Sequence, residues 1–119
     1  MVHDLYISRN MKDDLVPNDG DRIICVKIGK IRRENFYEMA RKYWRVDGIR
    51  VTCANHVLAI VDGVVKEDYI PSSWKLTDNP KYEGRWEFEG KPAENSEYIG
   101  KSVVSYYGKS QNPVKYINM

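Results

Sequence analysis

Long apolar runs, paired cysteines and clustered histidines are all missing from this 119-residue sequence. No apolar stretch approaches the roughly 20 residues that a membrane span needs, and residues 1–6 lack the features of a secretory signal, so a cytoplasmic protein without membrane contact is expected. Cys25 and Cys53 each lie among apolar neighbours, which predicts two buried free thiols. With two histidines and no close Cys/His spacing, neither a metal nor a cofactor is expected.

Recognisable catalytic motifs are missing as well. Residues 99–102 read Ile-Gly-Lys-Ser, like the end of a phosphate loop, but Asn95 stands where such a loop needs its earlier glycine. The carboxylates of Glu67 and Asp68 are interpreted as solvated surface. Neither histidine is near a nucleophile in the sequence, and only a site assembled in space would change that. The sequence therefore favours a binding protein over an enzyme.

The net charge of +2 is too small to indicate a nucleic-acid binder, but its distribution is uneven. Residues 27–50 contain eight Lys/Arg against three Asp/Glu, residues 62–97 contain five against nine, and residues 101–119 contain three against none. If the first and last of these segments meet in the fold, they form a basic face that attracts phosphate or an acidic protein surface. The alternative is that the charges are spread evenly and solvated.

Length and hydrophobic pattern indicate a single domain over residues 1–119. Apolar residues at 36, 39, 40, 43 and 44 follow the i, i+3, i+4, i+7, i+8 spacing of one helix over about 34–44. Short strands are predicted at 22–28, 56–61, 64–70, 85–89, 103–107 and 114–117. The fold class predicted is α+β, with a small antiparallel, barrel-like β-sheet and one main helix.

The strongest hairpin signal is the Asp-Gly dipeptide that follows the second of these strands. A two-residue turn there predicts that His56 faces Tyr69 and that Asp68 lies on the other face. Pro71 is expected to end the strand and to leave Trp74 in a loop. Further on, strict alternation predicts that Trp86 and Phe88 share a buried face.

Seven segments together resemble a widespread family of uncharacterised bacterial and phage proteins, over residues of about 35–118. They are Ala-Arg-Lys-Tyr-Trp-Arg-Val at 40–46, Ala-Asn-His-Val-Leu-Ala-Ile at 54–60, Gly-Val-Val-Lys at 63–66, Trp74, Arg-Trp-Glu-Phe-Glu-Gly at 85–90, Tyr-Ile-Gly-Lys-Ser-Val at 98–103 and Gln-Asn-Pro-Val-Lys-Tyr at 111–116. The sequence departs from the family pattern at Asp68, where a small apolar residue is usual, and at Pro92-Ala93, where Ala-Pro is expected. The resemblance implies no activity.

The sequence is also similar to PUA-like folds, the group that includes ASCH and EVE domains. The points of similarity are a helix followed by an apolar strand, a glycine turn and a strand of the Val-Val-Lys type. Members of that group bind RNA or a modified base in DNA, in a pocket surrounded by basic residues. By fold-level analogy, the resemblance places six residues near such a pocket. These are Trp44, Arg45, His56, Lys66, Tyr69 and Trp74.

The first functional hypothesis is a non-enzymatic nucleic-acid-binding module for RNA or modified-base DNA. Trp44 and Trp74 would stack on bases, at roughly 1–3 kcal/mol each. Gln111 and Asn112 would face a base edge, unless Asn112-Pro113 only forms a turn. The full set of predicted binding residues is Trp44, Arg45, Arg50, His56, Lys66, Tyr69, Trp74, Lys101, Ser102, Gln111, Asn112 and Lys115.

Two alternatives stay open. One is a protein-binding module, such as a phage-encoded inhibitor of a host defence complex, whose acidic segment at 62–97 mimics phosphates against a basic partner. The other is a pocket for a free nucleotide, since the same aromatic and basic residues would serve it.

Overall fold

The computed structural model describes residues 13–29 and 35–119. The strands are β1 (Ile23–Lys27), β2 (Lys42–Trp44), β3 (His56–Val61), β4 (Val64–Leu76), β5 (Trp86–Pro92) and β6 (Val114–Ile117). The helices are α1 (Phe36–Arg41), α2 (Gly48–Val51) and α3 (Val104–Tyr107), and a 3₁₀ turn spans Pro80–Tyr82. Among these residues, none of the helices has the length and apolar content that a membrane crossing requires.

The six strands form one curled, half-barrel sheet in the order β2-β5-β4-β3-β1-β6. An α+β fold built on a barrel-like sheet is therefore confirmed. The sheet is mixed, however, because β1 runs parallel to β3 while all other neighbours are antiparallel. A parallel pair needs a long crossover, which α1, β2 and α2 supply.

The predicted helix over 34–44 is shorter than its periodicity indicated. Asn35 caps α1 by accepting a hydrogen bond from the Tyr37 amide at 2.9 Å, and the helix ends before Lys42. Residues 42–44 instead form β2, in which Trp44 pairs with Trp86 of β5. Tyr43 and Trp44 would fit either an edge strand or the apolar side of a helix, and pairing with β5 places them in a strand. Glu34 lies outside the described residues.

Two further element predictions are wrong. Pro71 does not end β4, which continues to Leu76 and places Trp74 opposite Phe88. Pro71 coincides with a register shift, where the missing amide hydrogen of proline is tolerated. The segment predicted as a strand at 103–107 contains helix α3, which packs Tyr107 into the core.

The sheet has an apolar layer on each side. We call the side under α1 and α2 the helix face; its buried residues include Val57, Tyr69 and Phe88. We call the opposite side the loop face; it includes Leu58 and is covered by residues such as Leu15, Tyr98, Val103 and Tyr107. Burial on both sides explains why residues 57–60 are continuously apolar.

A β-bulge in the β3–β4 hairpin changes the predicted pairing. The Asp-Gly turn forms as expected, with Ile60 opposite Val65, but the register then shifts by one residue. Tyr69 consequently lies opposite Val57 rather than His56, and the Asp68 side chain lies on the loop face. The interpretation of Asp68 as solvated surface is wrong, because the residue is 1% exposed.

The two cysteines differ in their surroundings. Cys25 is a buried free thiol of β1, and burial raises its pKa to about 12. Cys53 is exposed, contrary to prediction, because it lies in the turn between α2 and β3 rather than in a strand.

Candidate functional site

A polar pocket of about 550 Å³ lies on the loop face, beside the first residues of the parallel strands β1 and β3. We call it the His56 pocket. The polar side chains that matter for its chemistry are Asp21, His56, Asp68, Lys91, Ser96 and Tyr98. Ile70, Pro92 and Ala93 add apolar surface to its lining.

Strand register brings the first three polar groups together. Ile23 lies beside His56 in the parallel β1–β3 pair, so Asp21, two residues earlier, projects toward the same face. The β-bulge places Asp68 on that face from β4. The segment after β5 then returns over the pocket, anchored by the Ala93 amide donating to the Asp68 carbonyl at 2.8 Å.

Asp68 is the buried anchor of the cluster. Its carboxylate oxygen Oδ1 lies 2.8 Å from Nδ1 of His56, and its Oδ2 accepts a hydrogen bond from the Ser96 hydroxyl at 2.6 Å. A carboxylate that is almost wholly buried requires such partners, because an unpaired charge there is costly. Asp68 thereby fixes the imidazole ring with Nδ1 facing inward.

Asp21 faces the other ring nitrogen. The Asp21 Oδ2 atom lies 3.4 Å from Nε2 of His56 and accepts a hydrogen bond of 2.5 Å from the Tyr98 hydroxyl. The backbone amide of Asn18 donates to the same hydroxyl at 2.9 Å. The Tyr98 ring meets the imidazole edge-on, with centroids 5.3 Å apart. His56 is therefore held between two carboxylates that are themselves held in place.

The electrostatics favour a protonated His56. Its hydrogen bond to Asp68, together with the charges of Asp68 and Asp21, raises the pKa of His56 above its ordinary value despite partial burial. Burial and the nearby Asp21 carboxylate raise the pKa of Tyr98 to about 12, so its hydroxyl stays protonated and acts as a donor. The pocket therefore combines an imidazole of raised pKa with carboxylate acceptors.

Charges around the cluster are mostly negative. Glu94 and Glu97 line the pocket, and Lys91 is its cation besides His56 among the described residues. A neighbouring depression of about 500 Å³ shares Glu97 and Tyr98 with the pocket and is bounded by Lys101. Lys91 thus lines the acidic pocket, and Lys101 lines the neighbouring depression.

The cluster lacks the geometry of a nucleophilic triad. Ser96 donates to Asp68 and not to His56, so the histidine does not lie next to the hydroxyl as a general base. No group of three or more His, Cys, Asp or Glu among residues 13–29 and 35–119 is arranged to hold a metal. The arrangement is suited to holding a polar ligand by its edge.

The aromatic residues predicted for base stacking lie on the helix face. Trp44 packs against the core and donates from Nε1 to the Ala40 carbonyl at 2.8 Å. Tyr69 is buried, and Trp74 contacts Phe88 with ring centroids 5.1 Å apart. His56 is the one member of the predicted set that lines the His56 pocket among the described residues.

The predicted cationic and hydroxyl residues are dispersed. Arg45 and Lys66 are exposed, and Lys115 lies on β6 opposite Cys25. Arg50 stacks on Tyr116 at 4.1 Å. Among residues 13–29 and 35–119, no lysine or arginine of segments 27–50 and 101–119 lines the His56 pocket.

Four residues of the predicted set lie between β5 and β6, namely Lys101, Ser102, Gln111 and Asn112. Ser102 is buried, and its hydroxyl accepts from the Val104 amide at 3.3 Å. Gln111 and Asn112 are exposed, and the Asn112 side chain accepts from the Val114 amide at 3.0 Å. The turn interpretation of Asn112-Pro113 accounts for that bond.

Sequence reasoning missed five of the six polar pocket residues: Asp21, Asp68, Lys91, Ser96 and Tyr98. One signal was present, since Asp68 is a position at which the sequence departs from the pattern that it resembles. A carboxylate in such a position is either exposed or held by partners, and its partners at 56 and 96 are distant in sequence.

Comparison with protein-family models, with curated proteins and with solved structures finds no match for this chain. The resemblance to an uncharacterised family and to PUA-like domains accordingly stays a prediction.

Proposed function

We propose that this chain is a non-enzymatic nucleic-acid-binding module that accepts one unpaired base of RNA or DNA in the His56 pocket. The observation that carries the proposal is the polar edge formed by His56 and Asp21. It is held in position by the hydrogen bond of His56 to Asp68 and by the hydrogen bond that Tyr98 donates to Asp21. Ligand sites typically measure 300–1,000 Å³ and combine apolar lining with a few fixed polar groups, as this pocket does.

The chemistry of a base fits the two kinds of surface in the pocket. A base is a flat ring with donors and acceptors along its edge. Its faces would contact Ile70, Pro92 and Ala93, while its edge would meet His56 and Asp21. A base stacked and paired inside a nucleic-acid duplex cannot place its faces and its edge against these residues, so the proposal requires an unpaired or extruded base.

Phosphates would be bound outside the acidic centre. Lys91 on the pocket wall and Lys101 in the adjoining depression are placed to contact the backbone on either side of an inserted base. Lys101 forms an exposed ion pair with Asp13, at 3.4 Å, and such a pair is readily exchanged for a phosphate. In this role Lys101 remains a member of the predicted binding set.

The acidic-face alternative receives less support. Within 62–97, Asp68 is buried against His56, while Glu87 and Glu89 contact Arg41 at 3.6 and 2.9 Å. These carboxylates serve internal contacts, which leaves fewer charges to mimic a phosphate backbone.

The test is fluorescence anisotropy with short labelled single- and double-stranded RNA and DNA at ~50 and ~200 mM salt. Single strands should bind more tightly than duplexes, and about three phosphate contacts to a single strand would reduce the affinity roughly 20-fold over this salt range. Replacing Lys91 and Lys101 by alanine should lower the slope of log affinity against log salt by about 2.

The matched control replaces Lys81 and Lys109, two exposed lysines outside the pocket lining. That variant should keep the wild-type salt slope. Absence of binding at micromolar protein and ~50 mM salt would overturn the proposal.

A further inference from the structure

We infer that the second half of β4 is a docking site for a short extended segment of another protein, which adds to the sheet as a further strand. Two observations on the described residues carry this inference, a strand edge without a neighbour and a cavity beside that edge. The site lies under α2, on the opposite face of the sheet from the His56 pocket, and it does not depend on the proposed function.

β4 extends well beyond the strand that pairs with it on one side. β3 pairs with β4 only as far as Val57 opposite Tyr69, because the chain before β3 comes from α2 and does not follow β4. On the other side, β4 pairs with β5 as far as Leu76 opposite Trp86. In the described part of the chain, no strand therefore lies beside residues 71–76 on the β3 side. We call this side of residues 71–76 the free edge.

The backbone groups along the free edge are set by the pairing with β5. The Thr77 amide donates to the Arg85 carbonyl at 2.9 Å, and the register continues without a shift from that pair back to Ser73. Because residues of an antiparallel ladder alternate in direction, the amides and carbonyls of Trp74 and Leu76 point away from β5. The backbone hydrogen bonds that described residues form outside helices and strands involve neither residue. Two donors and two acceptors thus lie along the free edge.

A cavity of about 290 Å³ lies beside the free edge. It is lined by β4, at Pro71, Ser72, Ser73 and Trp74, and by the end of α2 with the turn that follows, at Val51, Thr52 and Ala54. None of these side chains is charged, so the cavity suits an uncharged and mainly apolar side chain. When a strand adds to a sheet edge, main-chain hydrogen bonds supply affinity and pockets for alternate side chains supply specificity.

The edge itself indicates a peptide as the occupant. An extended peptide repeats its donors and acceptors at the spacing of a strand, which favours it over a nucleic acid or a small molecule. Leu76, at the end of the free edge, is 53% exposed and offers apolar surface to the same occupant. The place is the one that a longer β3 would fill.

A different protein fits this edge better than a second copy of the chain. Pro71, the register shift that follows it and the exposed Lys75 are features by which edge strands avoid pairing with copies of themselves. Like charges directly opposite in a strand pair are also destabilising, and self-pairing about Lys75 would bring two lysines together. These features shorten the usable edge but leave the backbone groups of Trp74 and Leu76 in place. A short guest strand that the cavity anchors is therefore favoured.

The experiment selects peptides of about nine residues, near the upper range of strand length, from a random phage-displayed library on the full chain. Selected peptides should share an uncharged apolar residue and should bind in fluorescence anisotropy. Each peptide amide is then N-methylated in turn. Binding should weaken about tenfold at every second residue of the bound segment and change little in between, because only alternate amides face β4.

Leu76→Pro tests the edge from the protein side. It removes an amide hydrogen that faces the partner and keeps the bonds to β5, and proline is tolerated at such an edge position. This variant should bind the selected peptides about tenfold more weakly. Leu76→Ala, the matched control, keeps the amide hydrogen and should lose much less. Circular dichroism checks the folding of both variants, and both should bind nucleic acid as the wild type does.

The outcomes decide between the occupants. A library without any binder tighter than ~100 μM would overturn the inference, as would equal peptide binding by wild type and folded Leu76→Pro. An N-methyl series without alternation would exclude strand addition. A chain that sediments as a dimer, and as a monomer after Leu76→Pro, would assign the edge to a second copy and overturn the partner protein. If Leu76→Pro does not fold, the N-methyl series on the wild type decides alone.

Discussion

The two faces of the sheet use aromatic and polar side chains in opposite ways. On the helix face, Tyr69, Phe88 and Trp74 pack ring against ring, with the Phe88 ring 6.0 Å from Tyr69 and 5.1 Å from Trp74. On the loop face, the hydroxyl of Tyr98 enters a hydrogen-bonded cluster with Asp21. An aromatic residue in the sequence thus becomes either core or part of a polar site, according to what covers it.

The covering segments account for the difference. Helices α1 and α2 present Met39, Ala40 and Val51 to the helix face, which gives it an apolar cover. The end of the loop face is covered by residues 93–98, which bring a hydroxyl and backbone groups over the sheet. Only the second environment can satisfy a buried Asp68.

Phe88→Ala should have the largest effect, because it empties the centre of the helix face. Phe88 is 1% exposed, and truncation of such a residue costs about 4 kcal/mol of unfolding free energy. Urea denaturation measures this loss, and the NMR titration of His56 should be unchanged because the ring lies on the other face. A shifted His56 titration would show that the two faces are coupled.

Asp68→Ala should have the next largest effect, about 3 kcal/mol, because it leaves His56 and Ser96 without their shared partner. Unlike Phe88→Ala, it should also lower the pKa of His56. The control, Asp78→Ala, removes an exposed carboxylate whose 3.6 Å pair with Lys75 is at the surface, and should change stability by less than about 0.5 kcal/mol. Equal losses in the two variants would contradict the anchoring role of Asp68.

The smallest effect concerns pH. Because the pKa of His56 is raised in the folded protein, its contribution to stability is fully present below the ordinary value of 6.5 and is lost as the pH rises through the folded pKa. Asp21 and Asp68 face the imidazole directly, and Lys91, Glu94 and Glu97 line the same pocket. Stability should therefore decline modestly as the pH rises above 6.5.

Proton NMR of the His3→Gln variant measures this pKa directly, since only two histidines are present. Asp21→Asn should lower it, and Asp19→Asn should not. A His56 pKa at or below 6.5 in the otherwise native protein would contradict the placement of the ring between two carboxylates.

Local patterns were sufficient to predict much of the sheet. Apolar runs marked β1 and β3, the Asp-Gly dipeptide marked the β3–β4 turn, and alternation placed Phe88 in the core. These features depend on the side-chain period of a strand and on turn chemistry, both of which are written in neighbouring residues. His56, which the resemblance placed near a pocket, lines the His56 pocket.

The site itself was decided by tertiary structure. One bulge in β4 turned Asp68 from the expected face to the loop face, and a one-residue shift of this kind reverses every side chain beyond it. Partners for Asp68 then came from β3 and from the segment after β5, at sequence separations of 12 and 28 residues. The sequence determined the strands, their apolar faces and the hairpin, because those follow from local residue order. Only the tertiary structure determined which polar groups meet, because register and long-range contacts are set by the packing of the whole chain.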